Sequence, residues 1–175
     1  GYTFKNYKIF QETTYSFESN RIGNIVESKY GDIWCTTYDG QECLFDVKTE
    51  KFIDVLQPLT RSLNHSNHVI RILSLKKGIA WILCKDGYTY RADEQQCKGG
   101  TGIPHDSIFN GNLKGNQVYT VFQDSEEDEW VLTDKGMTIL GKKTLDTDFP
   151  FRHIIQWKEN IYLAAEHGKL ASYDF

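Results

Sequence analysis

Apolar and polar positions recur in blocks along this chain. The block GDIWCTTYDGQECLFD over residues 31–46 returns without a gap as GIAWILCKDGYTYRAD over residues 78–93. A third block, EWVLTDKGMTIL, is centred on Trp130 and Gly136, and a fourth, IYLAAEHGKLASYD, on Tyr162 and Gly168. Each reads as a β-branched or aromatic run, a glycine turn and a second such run, which is the pattern of paired strands. In all four the aromatic (Trp34, Trp81, Trp130, Tyr162) precedes the turn glycine by six residues, and successive aromatics stand 47, 49 and 32 residues apart. A period near fifty with an aromatic and a turn glycine in each unit signals a repeat fold.

Read in order, the chain predicts a lone strand over residues 2–10 and a polar connection over 11–21. The first unit (roughly 23–57) places strands at 25–28, 33–37, 42–47 and 50–56; the second (69–97) at 69–75, 79–84 and 88–92. The third (118–143) places them at 118–123, 129–133 and 137–140; the fourth (151–175) at 151–157, 161–165 and 170–173. Asp39-Gly40 and Asp86-Gly87 predict hairpins with positive φ at both turn residues. Residues 94–117 contain no clear strand, and no segment shows sustained helical spacing. Short strands at regular spacing, three or four to a unit, indicate an all-β fold built of about four β-propeller blades, with the aromatic of each second strand buried between blades. Two arrangements stay open. Residues 1–22 are the lone strand and its connector, which could complete the last blade and close a ring; or the chain is a fragment of a larger propeller.

Composition narrows the function classes. At 175 residues the chain suits one core without a second domain. A net charge of -4 argues against a nucleic-acid surface. No apolar run approaches membrane-spanning length and no signal-peptide pattern is present; a chain starting at Gly1 reads as trimmed. The four cysteines, Cys35, Cys43, Cys84 and Cys97, form no CxxC and no zinc spacing. In the repeat alignment Cys35 takes the place of Ile82 and Cys43 that of Tyr90, as ordinary strand residues, while three disulfide pairings remain open.

Candidate sites each carry a plainer reading beside the functional one. His65 and His68, in an HSNH loop, could bind a ligand or metal or simply be solvated. Residues 124–129 supply five carboxylates in six positions, enough oxygen for calcium but without the glycine of a calcium loop, so the expectation is a solvated acidic hairpin. Tyr38, Tyr88 and Trp157 sit at strand ends or turns, where an aromatic face either packs or stacks on a sugar ring. The long segments 60–68 and 98–116 hold the Asn, His and Asp of a polar site, Asn64, His65 and His105 among them. Ligand binding is therefore assigned to Tyr38, Asn64, His65, Tyr88, His105 and Trp157, on loops carried by a rigid scaffold. No nucleophile elbow, metal triad or phosphate loop is found, so no catalytic residue, metal or cofactor is expected.

The repeat resembles the two-component regulator propeller repeat. The first unit carries Phe17-Glu18-Ser19-Asn20-Arg21-Ile22, then Gly31-Asp32-Ile33-Trp34-Cys35-Thr36-Thr37, then Gly40, Phe45-Asp46 and Thr49-Glu50-Lys51-Phe52. Ile103-Pro104-His105-Asp106-Ser107-Ile108 looks like the inter-blade element of the same pattern. The match is good in the first two units, fair in the third and poor in the fourth, where Tyr162 replaces Trp. The resemblance implies the periplasmic sensor region of a hybrid two-component sensor histidine kinase of Bacteroidetes. There, two seven-bladed propellers precede an immunoglobulin-like domain, a membrane helix, a kinase and a response regulator. It implies a non-enzymatic, periplasmic segment that senses an oligosaccharide, with kinase and membrane segments outside this chain. The partners implied are that ligand and further propeller blades or a second copy of the chain, with no nucleic acid. A protein-interaction scaffold of blades that binds no small molecule is the alternative. A propeller lyase or glycosidase would need an acid, base or metal cluster at the channel mouth.

Overall fold

Fourteen strands account for nearly all regular structure among the described residues of the computed structural model, which are 2–7, 19, 21–56, 68–99 and 117–174. Sheet 1 holds β1 (Ile22–Glu27), β2 (Ile33–Thr37), β3 (Glu42–Asp46) and β4 (Lys51–Ile53). Sheet 2 holds β5 (Val69–Leu75), β6 (Ile79–Cys84) and β7 (Thr89–Asp93), followed by the short helix α1 (Glu94–Lys98). Sheet 3 holds β8 (Val118–Gln123), β9 (Glu129–Thr133), β10 (Gly136–Ile139) and β11 (Lys143–Asp146). Sheet 4 holds β12 (Phe151–Trp157), β13 (Asn160–Ala165) and β14 (Leu170–Asp174). Each sheet is an antiparallel meander in chain order, and the four stack as propeller blades.

The hairpins differ from expectation in one respect. Thr37 N–H donates to the Gln41 carbonyl (2.9 Å) and Gly40 N–H to the Thr37 carbonyl (3.1 Å), and Cys84, Tyr88 and Gly87 repeat that pattern. The loops therefore have three residues, and only the glycine reaches positive φ (82° at Gly40, 89° at Gly87), while the aspartates stay in ordinary conformations.

The first strand of every sheet carries a register shift against the second, at Ile22/Asn24, Val69/Arg71, Val118/Thr120 and Phe151/His153. A bulge there puts residues three apart on one face. Val69 and Ile72 thus both face sheet 1, Val118 and Val121 both face sheet 2, and Phe151 and Ile154 both face sheet 3. Across each interface stands the aromatic of the preceding sheet. Trp34 packs with Val69 and Ile72, Trp81 with Val118 and Val121, and Trp130 with Phe151 and Ile154. The three indoles are 1%, 0% and 0% exposed, as the sequence pattern demands. First strands also touch one another, β1 with β5, β5 with β8 and β8 with β12, so they line the inner edge of the stack.

Three features depart from the sequence reading. Residues 2–7 form no strand, and residues 8–10 of that expected strand lie outside the described residues. The described segment lies on sheet 1, with Tyr7 against Phe45 (ring centroids 4.8 Å apart) and Lys5 paired to Glu50, so these residues do not complete the last blade. Strand β11 and helix α1 are additional. Helix α1 forms because the Asp93 side chain caps it, accepting from the N–H groups of Gln95 (2.8 Å) and Gln96 (3.2 Å). All four cysteines are buried free thiols, with Cys35 directly across from Cys43 in the β2–β3 register.

Candidate functional site

The antiparallel strands bring the start of each first strand and the turn after each second strand to the same end of the stack. Three equivalent backbone bonds tie them: Tyr38 N–H to the Arg21 carbonyl (2.9 Å), Lys85 N–H to that of His68 (2.9 Å) and Asp134 N–H to that of Gln117 (3.1 Å). Neighbouring blades are joined here too. Val69 N–H donates to the Gly40 carbonyl (2.6 Å) and the His68 ring lies over Gly40, where a Cβ would come within 2.5 Å of it. This end gathers Arg21, Tyr38, Asp39, His68, Lys85, Asp86 and Tyr88.

Of the residues assigned to ligand binding, Tyr38 and Tyr88 lie at this turn end. Tyr38 is 67% exposed with the Arg21 guanidinium 4.8 Å over its ring, while Tyr88 is half-buried against the core between sheets 1 and 2. Trp157 is 56% exposed but sits at the opposite end, at the turn between β12 and β13, under the Lys158 ammonium and edge-on to Tyr162. The structure therefore does not bring Trp157 together with the two tyrosines. Asn64, His65 and His105 lie outside the described residues. His68, the described histidine of the HSNH loop, serves the contact between blades.

Between the blades each indole N–H meets a carboxylate. Trp34 Nε1 donates to Glu94 (3.0 Å), Trp81 Nε1 to Glu129 (2.8 Å) and Trp130 Nε1 to Asp124 (2.7 Å), and all three acids are buried. Helix α1 is the link between blades 1 and 2. Its Glu94 also accepts from Lys29 N–H (3.0 Å), and its Lys98 ammonium pairs with Asp32 (2.9 Å) and Asp46 (3.1 Å) of sheet 1. Burial pushes the Asp46 carboxyl up, but hydrogen bonds from Thr49 and the Lys98 ammonium outweigh it and bring its pKa to about 2. Between blades 2 and 3, Arg91 grips Glu129 with two bonds (2.6 and 3.0 Å).

The acidic run is a hairpin turn exposed at Ser125, Glu126 and Glu127, but the acids at its two ends are not solvated. Asp124 and Glu129 are buried and hold indoles; Glu127 pairs with Lys77 (3.1 Å) and Asp128 with Lys142; Ser125 exchanges two bonds with Gln156 of sheet 4 (both 2.7 Å). Sequence reasoning missed these acids as indole partners. The available signal was an acid beside a strand in the second and third units: Glu94 after β7, Asp124 after β8 and Glu129 at the start of β9.

One interior group stands apart. Glu42 is buried, takes Leu56 N–H at 2.5 Å on one oxygen and has, among the described residues, no hydrogen-bond partner on the other. Burial, and then the neighbouring Asp54, holds its carboxyl well above the usual range. Burial likewise raises the Cys84 and Cys97 thiols to about 12, with the charge of Glu42 adding to both.

No family model and no curated protein matches the sequence. Solved structures do match. An extracellular domain assigned to the hybrid two-component system BT3049 of B. thetaiotaomicron is 20% identical over 98% of this chain, with a TM-score of 0.67. The corresponding domain of BT4673 from the same organism is 19% identical over 94%, with a TM-score of 0.61. The WD40 β-propeller domain of Doa1 is 12% identical over 86%, with a TM-score of 0.56, and matches over 50% of its own length. This chain spans about a quarter of the two extracellular domains (23% and 24%). Among the described residues no helix is long and apolar enough to cross a membrane. The chain is thus a run of propeller blades that resembles the extracellular domains of Bacteroides hybrid two-component systems.

Proposed function

We propose that this chain is a non-catalytic, extracytoplasmic sensing segment of a two-component sensor, which binds an oligosaccharide at the turn end of its blades and passes the signal to a histidine kinase outside the chain. The observation that carries the reading is the match of nearly the whole chain to an extracellular domain of a hybrid two-component system. The exposed Tyr38 ring, stacked with Arg21 and flanked by Asp39, supports a sugar site chemically: aromatic faces take the apolar face of a pyranose, and the charged groups take its hydroxyls. Binding signals only if the ligand favours one arrangement of the sensor over another. A thermal-shift screen against plant and host glycan oligosaccharides tests this. A rise of several degrees with one glycan class, lost in Tyr38→Ala, is expected. A folded chain that no glycan stabilises would shift the weight to a scaffold of blades without a small-molecule ligand.

A further inference from the structure

We infer that Cys35 and Cys43 are a site of covalent modification, oxidised to a disulfide that staples the β2–β3 hairpin of the first blade. The two residues are direct partners in the strand register. Directly opposed residues of an antiparallel pair have Cα atoms about 4.5–5.5 Å apart, and a disulfide spans about 4.4–6.8 Å. The backbone therefore already holds them at bridging range. Both side chains are buried on one face of sheet 1, in a cluster with Phe45, Ile33 and Phe52. The thiols already meet there, with Cys43 donating to the Cys35 sulfur.

The placement is particular to this blade. The equivalent opposed pair is Ile82 with Tyr90 in sheet 2, Val131 with Thr138 in sheet 3 and Leu163 with Ala171 in sheet 4. Packing at this position is thus met without sulfur in three blades out of four. The fold also closes the other pairings. Cys84 and Cys97 belong to the core between sheets 1 and 2, with Trp34 and Leu44. Alternation along β2 and β3 puts Cys35 and Cys43 on the opposite face, so sheet 1 stands between the two sets. Cys84 has Val69 across its strand pair, and Cys97 lies on α1, so neither faces a thiol across a ladder. Their thiols are pushed up to about 12, chiefly by burial. The hydrogen bond from Cys43 instead holds the Cys35 thiol below its ordinary value despite burial, and the thiolate is the attacking species.

The oxidant required is a small-molecule or protein disulfide. The Cys35 thiolate attacks one of its sulfurs and the other leaves as a thiolate. Cys43 then loses its proton and attacks the Cys35 sulfur of the mixed disulfide, and the second oxidant thiolate leaves. In sum the two cysteines lose two protons and two electrons, and the oxidant gains them as two thiols. Seven residues separate the pair, so the bond can close with the hairpin, before the face of sheet 1 is covered. Such oxidants are met outside the cytoplasm, and for that encounter alone the inference rests on the extracytoplasmic reading.

Refolding of the full 175-residue chain in reduced and oxidised glutathione, followed by non-reducing peptide mapping, tests the inference. The expected product is a monomer lighter by two hydrogens, with the peptides of Cys35 and Cys43 linked and Cys84 and Cys97 open to alkylation after unfolding. It should melt about 5 °C above the same chain kept in reductant. Cys35→Ala should abolish both the link and the dependence on reductant, and Cys84→Ala should keep both. The map of the parent chain decides the linkage without any variant. Four alkylatable thiols, a link through Cys84 or Cys97, or a linked chain no more stable than the reduced one overturns the inference. The map reads no ligand, so its outcome is independent of the glycan screen.

Discussion

Replacing Glu129 with alanine should unfasten blade 2 from blade 3. The buried carboxylate accepts from Trp81 Nε1 at 2.8 Å and from Arg91 at 2.6 and 3.0 Å. Removing one partner of a buried ion pair costs about 3–5 kcal/mol, because the other groups are left without a counter-charge. The Arg91 side chain is 35% exposed, so water restores part of its solvation and the lower end, about 3 kcal/mol, is expected. For a chain of this length each 1 kcal/mol moves the melting temperature by about 2–4 °C, so the fall is about 6–12 °C. Glu129→Gln keeps an acceptor for the indole and should lose about half as much. Trp81→Phe removes the donor from the other side. Its effect should fall short of additivity with Glu129→Ala by about 1–2 kcal/mol. Urea and thermal unfolding of the parent, the single variants and the double variant measure all of this. A loss below about 1 kcal/mol for Glu129→Ala, the range of an exposed pair, would refute the idea that this carboxylate fastens the interface.

Two further outcomes follow from the same geometry. Gly40 and Gly31 share a positive φ (82° and 80°), but an added Cβ meets the His68 ring at 2.5 Å in one case and nothing within 4 Å in the other. Gly31→Ala should therefore cost about 1–2 kcal/mol, the left-handed penalty alone, and Gly40→Ala clearly more; equal urea midpoints for the two would contradict the contact. Glu42 has a folded pKa raised above the ordinary 4.5, so its contribution to stability is complete below pH 4.5 and is lost as pH rises toward the folded value. Glu42→Gln should match the parent near pH 4 and exceed it increasingly toward neutral pH, and a pH-independent difference in urea midpoint would count against this.

Most of the strand pattern was legible because period and turn glycine report local chemistry. Trp34, Trp81 and Trp130 mark the second strand of a blade wherever they fall, and each is buried as its size demands. What escaped was set by contacts across blades or by a cap. Helix α1 is five residues long, too short for a periodic signal, and exists because Asp93 caps it and because Glu94 and Lys98 reach sheet 1. Strand β11, KTLD, has one apolar residue and depends on its ladder with β10. The acidic run looked solvated because a sequence does not show that indole N–H groups lie opposite two of its members. Tyr38 and Trp157 read alike as aromatics at strand ends, and the sequence gives no indication that they occupy opposite ends of the stack.

The bulge in each first strand has a consequence for how such blades tolerate change. A strand without one keeps a strict two-residue phase from end to end, so any insertion inverts every side chain beyond it. Here the phase is reset after the first residue of β1, β5, β8 and β12. The turn end and the packed body of a blade are thereby out of step by design, each keeping its own alternation. Loops at that end can lengthen or change sequence while the residues that meet the next indole stay in place. The turn end of each blade is in this way insulated from the packed face that meets the next blade.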